Sequence, residues 1–391
     1  MNVSSVMSKL FEIKPELNFQ TQHVKVPGKL YISGEYAILE PGHPAILIAV
    51  DQYLTSELSM SLKPYQGSIS SDLPGMQTLN YRRHRETEAI KLNLEEQSAG
   101  SISDWRYVLS AIEVVEDLIH EIGRPVQDYR LNFSSDLASQ EGKKYGFGSS
   151  GAVTVAAVRS LLQFYGLAAV SPVTIFKLAT IALMRLESNG SFGDIAAITL
   201  GDWVYYQSFD REWLKARLSK ETTILDLLLV EWPYLKLEHV PAVEDLSVLI
   251  GWTKSPASTD DLVAYLHQQM NQANTIAPYK AFLDQSQASV ERMYQAFKTQ
   301  EIPAIQEELA NYRHLLLKLS KHFNLTIETP ALSQLVNLSQ AYQFEAKSSG
   351  AGGGDCGIAI GHKNQKSQLL IDQWQENGIQ ALNISVAPLQ I

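Results

Sequence analysis

Hydrophobic and polar positions alternate through much of the first third of the chain, which is the spacing of β-strands that bury one face. In residues 23–32 the apolar side chains fall mostly on alternate positions, and residues 45–50 form one continuous apolar run. Residues 54–62 and 89–94 follow as two more predicted strands. The first third of the chain is therefore predicted to be rich in β-structure.

Apolar residues then recur every three or four positions, which is the spacing of amphipathic α-helices. This spacing predicts helices over residues 104–122, 150–165 and 171–187, with a strand over 128–137. The third helix has a clear start, because a serine at the N-cap is followed by proline at the first helical position. It is predicted to end at the polar, glycine-rich residues 188–194.

The last part of the chain predicts four strands with several helices. The strands are predicted at residues 246–253, 344–347, 356–361 and 379–386, and the helices at 258–270, 281–299, 303–322, 330–342 and 363–376. The order β-α-β-β-α-β, with extra helices inserted after the first, is typical of a ferredoxin-like domain. Since 391 residues are too many for one core, we predict an α+β protein of two domains, residues 1–240 and 241–391.

Composition and charge narrow the function classes. The formal net charge is −10, which disfavours nucleic acid or an anionic membrane as a partner. No apolar run approaches the roughly 18 residues that span a bilayer, and no signal peptide is recognised. Cys356 is the one cysteine, so it forms no internal disulfide and suits a reducing compartment. We expect a cytoplasmic protein, either a monomer or a homodimer.

The most informative motif is a glycine-serine turn that leads into an apolar helix, at residues 144–156. The first turn of a helix has unpaired N–H groups and the positive end of the helix dipole, so it is suited to bind an anion. Gly146, Gly148 and Gly151 let the anion approach the backbone, and the two serines add hydroxyl groups. The turn predicts a phosphate site.

The same glycine-serine turn also satisfies G-x-G-x-x-G, the dinucleotide fingerprint, which would indicate an NAD-dependent oxidoreductase. That fingerprint needs a strand ending at the first glycine and an acidic residue about 20 positions later. Here the predicted strand ends near Leu137 and residues 169–172 contain no acid, so a dinucleotide site is disfavoured. The P-loop pattern G-x-x-x-x-G-K-[ST] does not occur. A turn that only precedes a buried helix stays open.

An acidic protein that binds phosphate must concentrate its positive charge locally. The candidates for that charge are Lys29, the pair Lys143 and Lys144, and the cluster Arg82, Arg83, His84 and Arg85. We interpret the cluster as a solvated loop or edge strand, because no glycine-rich anion site adjoins it.

Two further segments accompany the glycine-serine turn. Residues 26–39 are Val-Pro-Gly-Lys-Leu-Tyr-Ile-Ser-Gly-Glu-Tyr-Ala-Ile-Leu, and residues 346–359 are Ala-Lys-Ser-Ser-Gly-Ala-Gly-Gly-Gly-Asp-Cys-Gly-Ile-Ala. With residues 145–155, and in this order, they resemble the three motifs of the GHMP family of small-molecule kinases. The first and third look most like the bacterial branch that phosphorylates phosphomevalonate. The resemblance covers residues 24–385.

The resemblance implies transfer of phosphate from ATP to phosphomevalonate, in the mevalonate route to isoprenoids, at a cleft between two domains. The implied ATP-binding residues are Lys144, Gly146, Phe147, Gly148, Ser149, Ser150 and Gly151. The resemblance implies Mg²⁺ as the cofactor, and such a hard cation takes few protein ligands beside phosphate oxygens. Its candidate ligands are Ser150 and Glu187, with a helix-capping serine and an exposed helix-terminal glutamate as the alternatives.

The resemblance also implies Lys29 and Asp194 as catalytic residues. A surface lysine on an edge strand and a helix-capping aspartate are the structural alternatives. A phosphate acceptor is largely dianionic at pH 7 and needs no base, so we expect Asp194 to orient Lys29 and the acceptor. The implied acceptor contacts are Tyr36, Ser191, Lys347, Ser348, Ser349, Gly350 and Gly352.

Two other functions stay open from the sequence. One is a GHMP kinase that phosphorylates an alcohol, such as a mevalonate kinase. The other is a ligand-sensing protein that has the same fold and no catalysis, because a fold does not dictate a function.

Overall fold

The structure, a computed structural model, describes residues 10–14, 20–73, 76–83, 90–92, 103–137, 145–218, 222–255, 259–270 and 276–390. Two main β-sheets follow each other along these residues, and helices pack on both of them. The predicted α+β class is confirmed. The elements predicted from apolar spacing are present, with shifts at their ends.

The strands of the N-terminal part are β1 (Glu12–Ile13), β2 (Gln22–Ser33), β3 (Pro44–Met60), β4 (Gln66–Ser71), β5 (Leu79–Arg83), β6 (Ile90–Leu92), β7 (Tyr129–Ser135), β8 (Leu167–Ala168), β9 (Trp203–Gln207) and β10 (Lys236–His239). β3 joins the two strands predicted at 45–50 and 54–62 into one. It pairs with β2 along one edge and with β9 and β7 along the other. The described sheet has the order β10-β9-β3-β7-β4-β5-β6, with β2 beside β3, and β4–β7 is its parallel pair.

The helices of this part are α1 (Arg106–Glu121), α2 (Ser149–Phe164), α3 (Pro172–Arg185), α4 (Gly193–Leu200), α5 (Arg211–Leu218) and α6 (Ile224–Leu229). Both α2 and α4 pack on β2 and β3 and on each other. The buried faces of these helices, with residues such as Val155 and Ile195 fully buried, form the core with the sheet. This packing brings the N-terminus of α2 and the N-terminus of α4 to the same end of β2.

The C-terminal part has the predicted ferredoxin-like order. Its elements are β11 (Leu246–Trp252), α7 (Thr259–Met270), α8 (Ile276–Lys298), α9 (Ile302–Phe323), α10 (Pro330–Ala341), β12 (Glu345–Ser348), β13 (Cys356–His362), α11 (Gln365–Glu376) and β14 (Gln380–Leu382). They form an antiparallel sheet in the order β12-β13-β11-β14. The inserted helices are α8, α9 and α10, which follow α7 before the second strand.

The strand predicted at residues 379–386 is wrong in its second half. β14 ends at Leu382, and the chain then returns to the N-terminal sheet. There Ala387 N–H donates to Ala49 O at 2.9 Å, and Gln390 N–H donates to Leu200 O at 2.9 Å. The backbone of this C-terminal segment therefore forms hydrogen bonds with the N-terminal part of the molecule, at β3 and at the end of α4.

Arg83 corrects the interpretation of the basic cluster as solvated. It lies on β5, which pairs on both sides, and its residue is 6% exposed. Its guanidinium donates two hydrogen bonds to Glu116, at 2.6 and 2.8 Å, and one to Asp128 at 3.1 Å. The charge is thus used inside the fold, where bidentate carboxylate pairing satisfies it. His84 and Arg85 lie outside the described residues.

Removal of this cation is expected to destabilise the fold. Arg83→Met leaves the buried Glu116 carboxylate without its cationic partner, and we expect the free energy of unfolding to fall by about 3–5 kcal/mol. Adding Glu116→Gln removes the uncompensated charge and should restore part of the loss. Arg82→Met, at the exposed neighbouring position, is the control, with a change within about 0.5 kcal/mol. Urea unfolding measures all three, and equal effects of the Arg82 and Arg83 variants would contradict the assignment.

Candidate active site

The glycine-serine turn, which is the second of the three motifs along the chain, leads directly into α2. Gly146 and Gly148 have φ angles of 83° and 80°, a left-handed conformation that favours glycine. A Cβ at Gly148 would lie 3.1 Å from Lys29 Cε, and a Cβ at Gly151 would lie 2.6 Å from Asp194 Oδ2. The missing side chains therefore let the backbone of this turn approach both predicted catalytic residues.

Lys29 is held against this turn from β2. Its main-chain N–H donates to Phe147 O at 3.0 Å, and its Nζ donates to Gly146 O at 2.8 Å. Burial lowers the pKa of Lys29 below its usual value, while the nearby carboxylates of Asp194 and Asp355 oppose that shift. Lys29 is half-buried, and its ammonium group lies against the glycine-serine turn, while its catalytic role stays a prediction.

Asp194 lies in the first turn of α4, while the N-cap of that helix is Phe192, with a φ of 60°. The helix-capping alternative for Asp194 is therefore wrong. Gly193 lies so close to the Tyr31 hydroxyl that a side chain would collide with it. The hydroxyl oxygens of Tyr31 and Ser191 form a hydrogen bond at 2.7 Å. Ser191, predicted to contact the acceptor, is thus placed beside Tyr31 at the turn that carries Asp194.

Tyr31 is a site residue that was not predicted from the sequence. It is 8% exposed, and burial together with the Asp194 charge raises the pKa of its hydroxyl. Lys29 Nζ lies 5.7 Å from the centre of its ring. Its position in the sequence could have identified it, because residues two apart on one strand, such as Lys29 and Tyr31, have side chains on the same face.

The third motif is bound to the first one. Ser349 Oγ accepts a hydrogen bond from Tyr31 N–H and donates one to Tyr31 O, both at 2.9 Å. Tyr36 Oη donates to Ala351 O at 2.6 Å. Gly352 lies against the Ile327 carbonyl, where a side chain would collide. The structure thus places the Tyr36 and Ser349 side chains in hydrogen bonds within the protein, and their contacts with an acceptor remain predictions.

Lys347 is not presented to an acceptor, which corrects the predicted direct contact. Its residue is 0% exposed, and its Nζ forms an ion pair with Glu35 Oε1. The same Nζ donates to Ser348 O at 2.6 Å. Ser348 is buried as well, while Gly350 remains partly exposed. Of these three positions, Gly350 is the one that is not buried.

Asp355 and Cys356, at the end of the third motif, face the second one. A Cβ at Gly146 would lie 2.8 Å from Asp355 Oδ2, so this carboxylate lies over the glycine turn. The Cys356 thiol is buried and donates to Tyr145 O at 3.3 Å. Burial raises the pKa of this thiol, which disfavours the thiolate form that a nucleophile needs.

The predicted metal ligands both carry oxygen donors. Ser150 is exposed in the first turn of α2, and Asp194 lies beside that turn. Glu187 is exposed just beyond the end of α3. No cluster of three or more His, Cys, Asp or Glu able to hold a metal occurs within the described residues. Few hard oxygen ligands suit a cation that takes its other ligands from phosphate and water. Lys144 lies outside the described residues.

Known proteins match this chain over nearly its whole length. The description "GHMP kinases N terminal domain" matches residues 106–202, and "GHMP kinases C terminal" matches residues 293–380. Phosphomevalonate kinase of Streptomyces sp. (strain CL190) is 35% identical over 366 residues, which are 92% of this chain and 96% of that protein. This chain belongs to the GHMP kinase family. The second and third motifs lie within the matched residues, and the structure brings them together with the first motif around Lys29.

A solved structure and a further sequence relative are also similar to this GHMP kinase. The structure "Streptococcus pneumoniae Phosphomevalonate Kinase in Complex with Phosphomevalonate and AMPPNP" superposes with a TM-score of 0.80 at 32% identity, covering 93% of this chain and 99% of that one. Mevalonate kinase of Pyrococcus abyssi (strain GE5 / Orsay) is 25% identical over 87% of this chain and 88% of that protein. No helix among the described residues is long and apolar enough to cross a membrane.

Proposed function

We propose that this GHMP kinase transfers the γ-phosphoryl group of ATP to phosphomevalonate, giving diphosphomevalonate and ADP in isoprenoid synthesis. The observation that carries the proposal is the meeting of the three motifs at Lys29, in a chain 35% identical to a phosphomevalonate kinase. The identity to a mevalonate kinase is lower, 25%. Mevalonate as the acceptor is the second candidate.

The roles of the residues follow from charge and position. The N–H groups at the start of α2 face the donor triphosphate, and Lys29 stabilises the charge of the transferred phosphoryl group. Asp194 orients Lys29, which fits the opposing effect of its carboxylate on the Lys29 pKa. The backbone around Gly350 binds the acceptor phosphate from the other side.

Mg²⁺ is the proposed cofactor, and Ser150 and Glu187 would hold it. When bound, it neutralises charge on the phosphate oxygens. Residues 1–240 are proposed to form the ATP-binding domain and residues 241–391 the domain that closes the acceptor side. A cytoplasmic location and a monomeric or homodimeric state belong to the same proposal, as do ATP and phosphomevalonate as its partners.

The acceptor assay tests this function directly. Purified protein receives ATP and Mg²⁺ with phosphomevalonate or with mevalonate, and release of ADP is followed. We expect turnover with phosphomevalonate and little with mevalonate. Turnover with mevalonate alone would contradict the proposed acceptor. Saturable ATP binding without turnover on either compound would instead favour the ligand-sensing alternative.

A further inference from the structure

The ion pair between Glu35 and Lys347 joins residues that are 312 positions apart in the chain. Glu35 follows β2 in the first motif, and Lys347 lies in β12 at the start of the third motif. The two residues are 3% and 0% exposed. Burying two charges costs several kcal/mol for each ion, and apolar residues of the same size often give equal or greater stability. Stability alone therefore does not account for this pair.

The same carboxylate also binds the backbone of the third motif. Glu35 Oε1 accepts a hydrogen bond from Gly350 N–H at 3.3 Å in addition to the Lys347 ammonium group. The main-chain oxygen of Glu35 accepts from Tyr312 Oη at 2.8 Å, so α9 fixes its position. Within the described residues Glu35 Oε2 has no hydrogen-bond partner. The carboxylate is thus held on the side of the third motif.

Further hydrogen bonds beside the ion pair also join the first motif to the third. The two hydrogen bonds between Ser349 and Tyr31 and the one between Tyr36 and Ala351 also join residues 31–36 to residues 347–351. Residues 31–36 begin two positions after Lys29 on the same stretch of chain. This set of contacts, with the ion pair at its centre, therefore fixes the position of residues 347–351 relative to Lys29.

We propose that Glu35 and Lys347 are positioning residues, which hold the third-motif loop at the distance from Lys29 that acceptor binding requires. They act through the backbone of Gly350 and do not touch the acceptor. This inference rests on the proposed function, since the acceptor side of the cleft is assigned there. Loss of the pair should therefore raise the KM for the acceptor far more than the KM for ATP. The glycine-serine turn proposed to bind ATP is held by contacts with Lys29 and by α2, which the substitutions leave in place.

The test compares Lys347→Met with the double variant Glu35→Gln/Lys347→Met. Lys347→Met should raise the KM for phosphomevalonate at least about tenfold, with the KM for ATP within about twofold. It should also lower the Tm, because a buried carboxylate loses its partner. In the double variant no charge is left uncompensated, so the Tm should recover. The KM for phosphomevalonate should stay raised, because the hydrogen bonds of the Lys347 ammonium group to residue 35 and to Ser348 O are still absent.

Lys363→Met, at an exposed position beyond β13, is the matched control and should change neither KM. A double variant with recovered Tm and a wild-type KM for phosphomevalonate would overturn the proposal, since the pair would then be structural only. An equal rise in both KM values would overturn it as well. If Lys347→Met does not fold, the double variant decides. Should the wild-type protein turn over mevalonate instead, the proposed acceptor is wrong, and the same comparison with mevalonate still tests the pair.

Discussion

Lys29→Met is expected to lower kcat about 10²- to 10³-fold while the KM for ATP changes little. The ammonium group donates to the carbonyl of Gly146, and the carboxylates of Asp194 and Asp355 are near enough to act on its charge. A preorganised charge in such a place acts where charge develops in the transition state, and loss of one such group typically costs a factor of this size. Methionine keeps the length and the apolar packing of the side chain, so the fold should be retained. Steady-state kinetics with ADP detection measures both constants.

Lys25→Met is the matched control for this prediction. Lys25 lies on the same strand, is exposed, and places its ammonium group over the Tyr53 ring at 3.9 Å. We expect its kcat to stay within about twofold of wild type, since surface substitutions away from the site change little. If Lys29→Met kept a wild-type kcat, the central role given to this lysine would be wrong.

Asp194→Asn is expected to lower kcat by about 10²-fold. Asparagine preserves the shape of the side chain and removes the charge that acts on Lys29. If Asp194 works by orienting Lys29, its loss should cost little once Lys29 is already methionine. Residues that act as one unit show this non-additivity. The measurement is therefore kcat for the two single variants and for Lys29→Met/Asp194→Asn.

Multiplicative effects of the two substitutions would show that Asp194 acts independently of Lys29, for example as a base. A wild-type kcat for Asp194→Asn would exclude an active role of either kind. Asp372→Asn, at an exposed position on α11 where the carboxylate accepts from Gln368 Nε2 at 2.8 Å, controls for loss of an acidic group.

Much of the fold follows from local spacing. The helix that begins at Ser149 and the ferredoxin-like order were predicted because periodicity of apolar residues reports the buried face of each element directly. Lys29 and Asp194 were found through the resemblance of short motifs, and the structure brings them to the same turn. This close approach is possible because Gly148 and Gly151 have no side chain, so that each leaves room for one of these two residues.

What the sequence did not predict depends on pairing between distant residues. Lys347 lies in a recognised motif beside glycines and serines, and nothing near it in the chain identifies Glu35 as its partner. Arg83 was interpreted as solvated because no glycine-rich anion site adjoins its cluster, whereas its partner Glu116 lies on α1. Burial of a charge depends on the three-dimensional neighbourhood, which the residues next to it in the chain do not report.

The return of residues 385–390 to the N-terminal sheet has a consequence for how the molecule folds. Contacts such as the one between Ala387 and Ala49 join positions that are very far apart in sequence, and formation of such contacts requires closure of a large loop. Proteins with many contacts of this kind fold slowly. Until the loop closes, backbone groups near Ala49 and Leu200 lack these partners, and open strand edges favour aggregation. We expect a refolding yield that falls steeply with protein concentration.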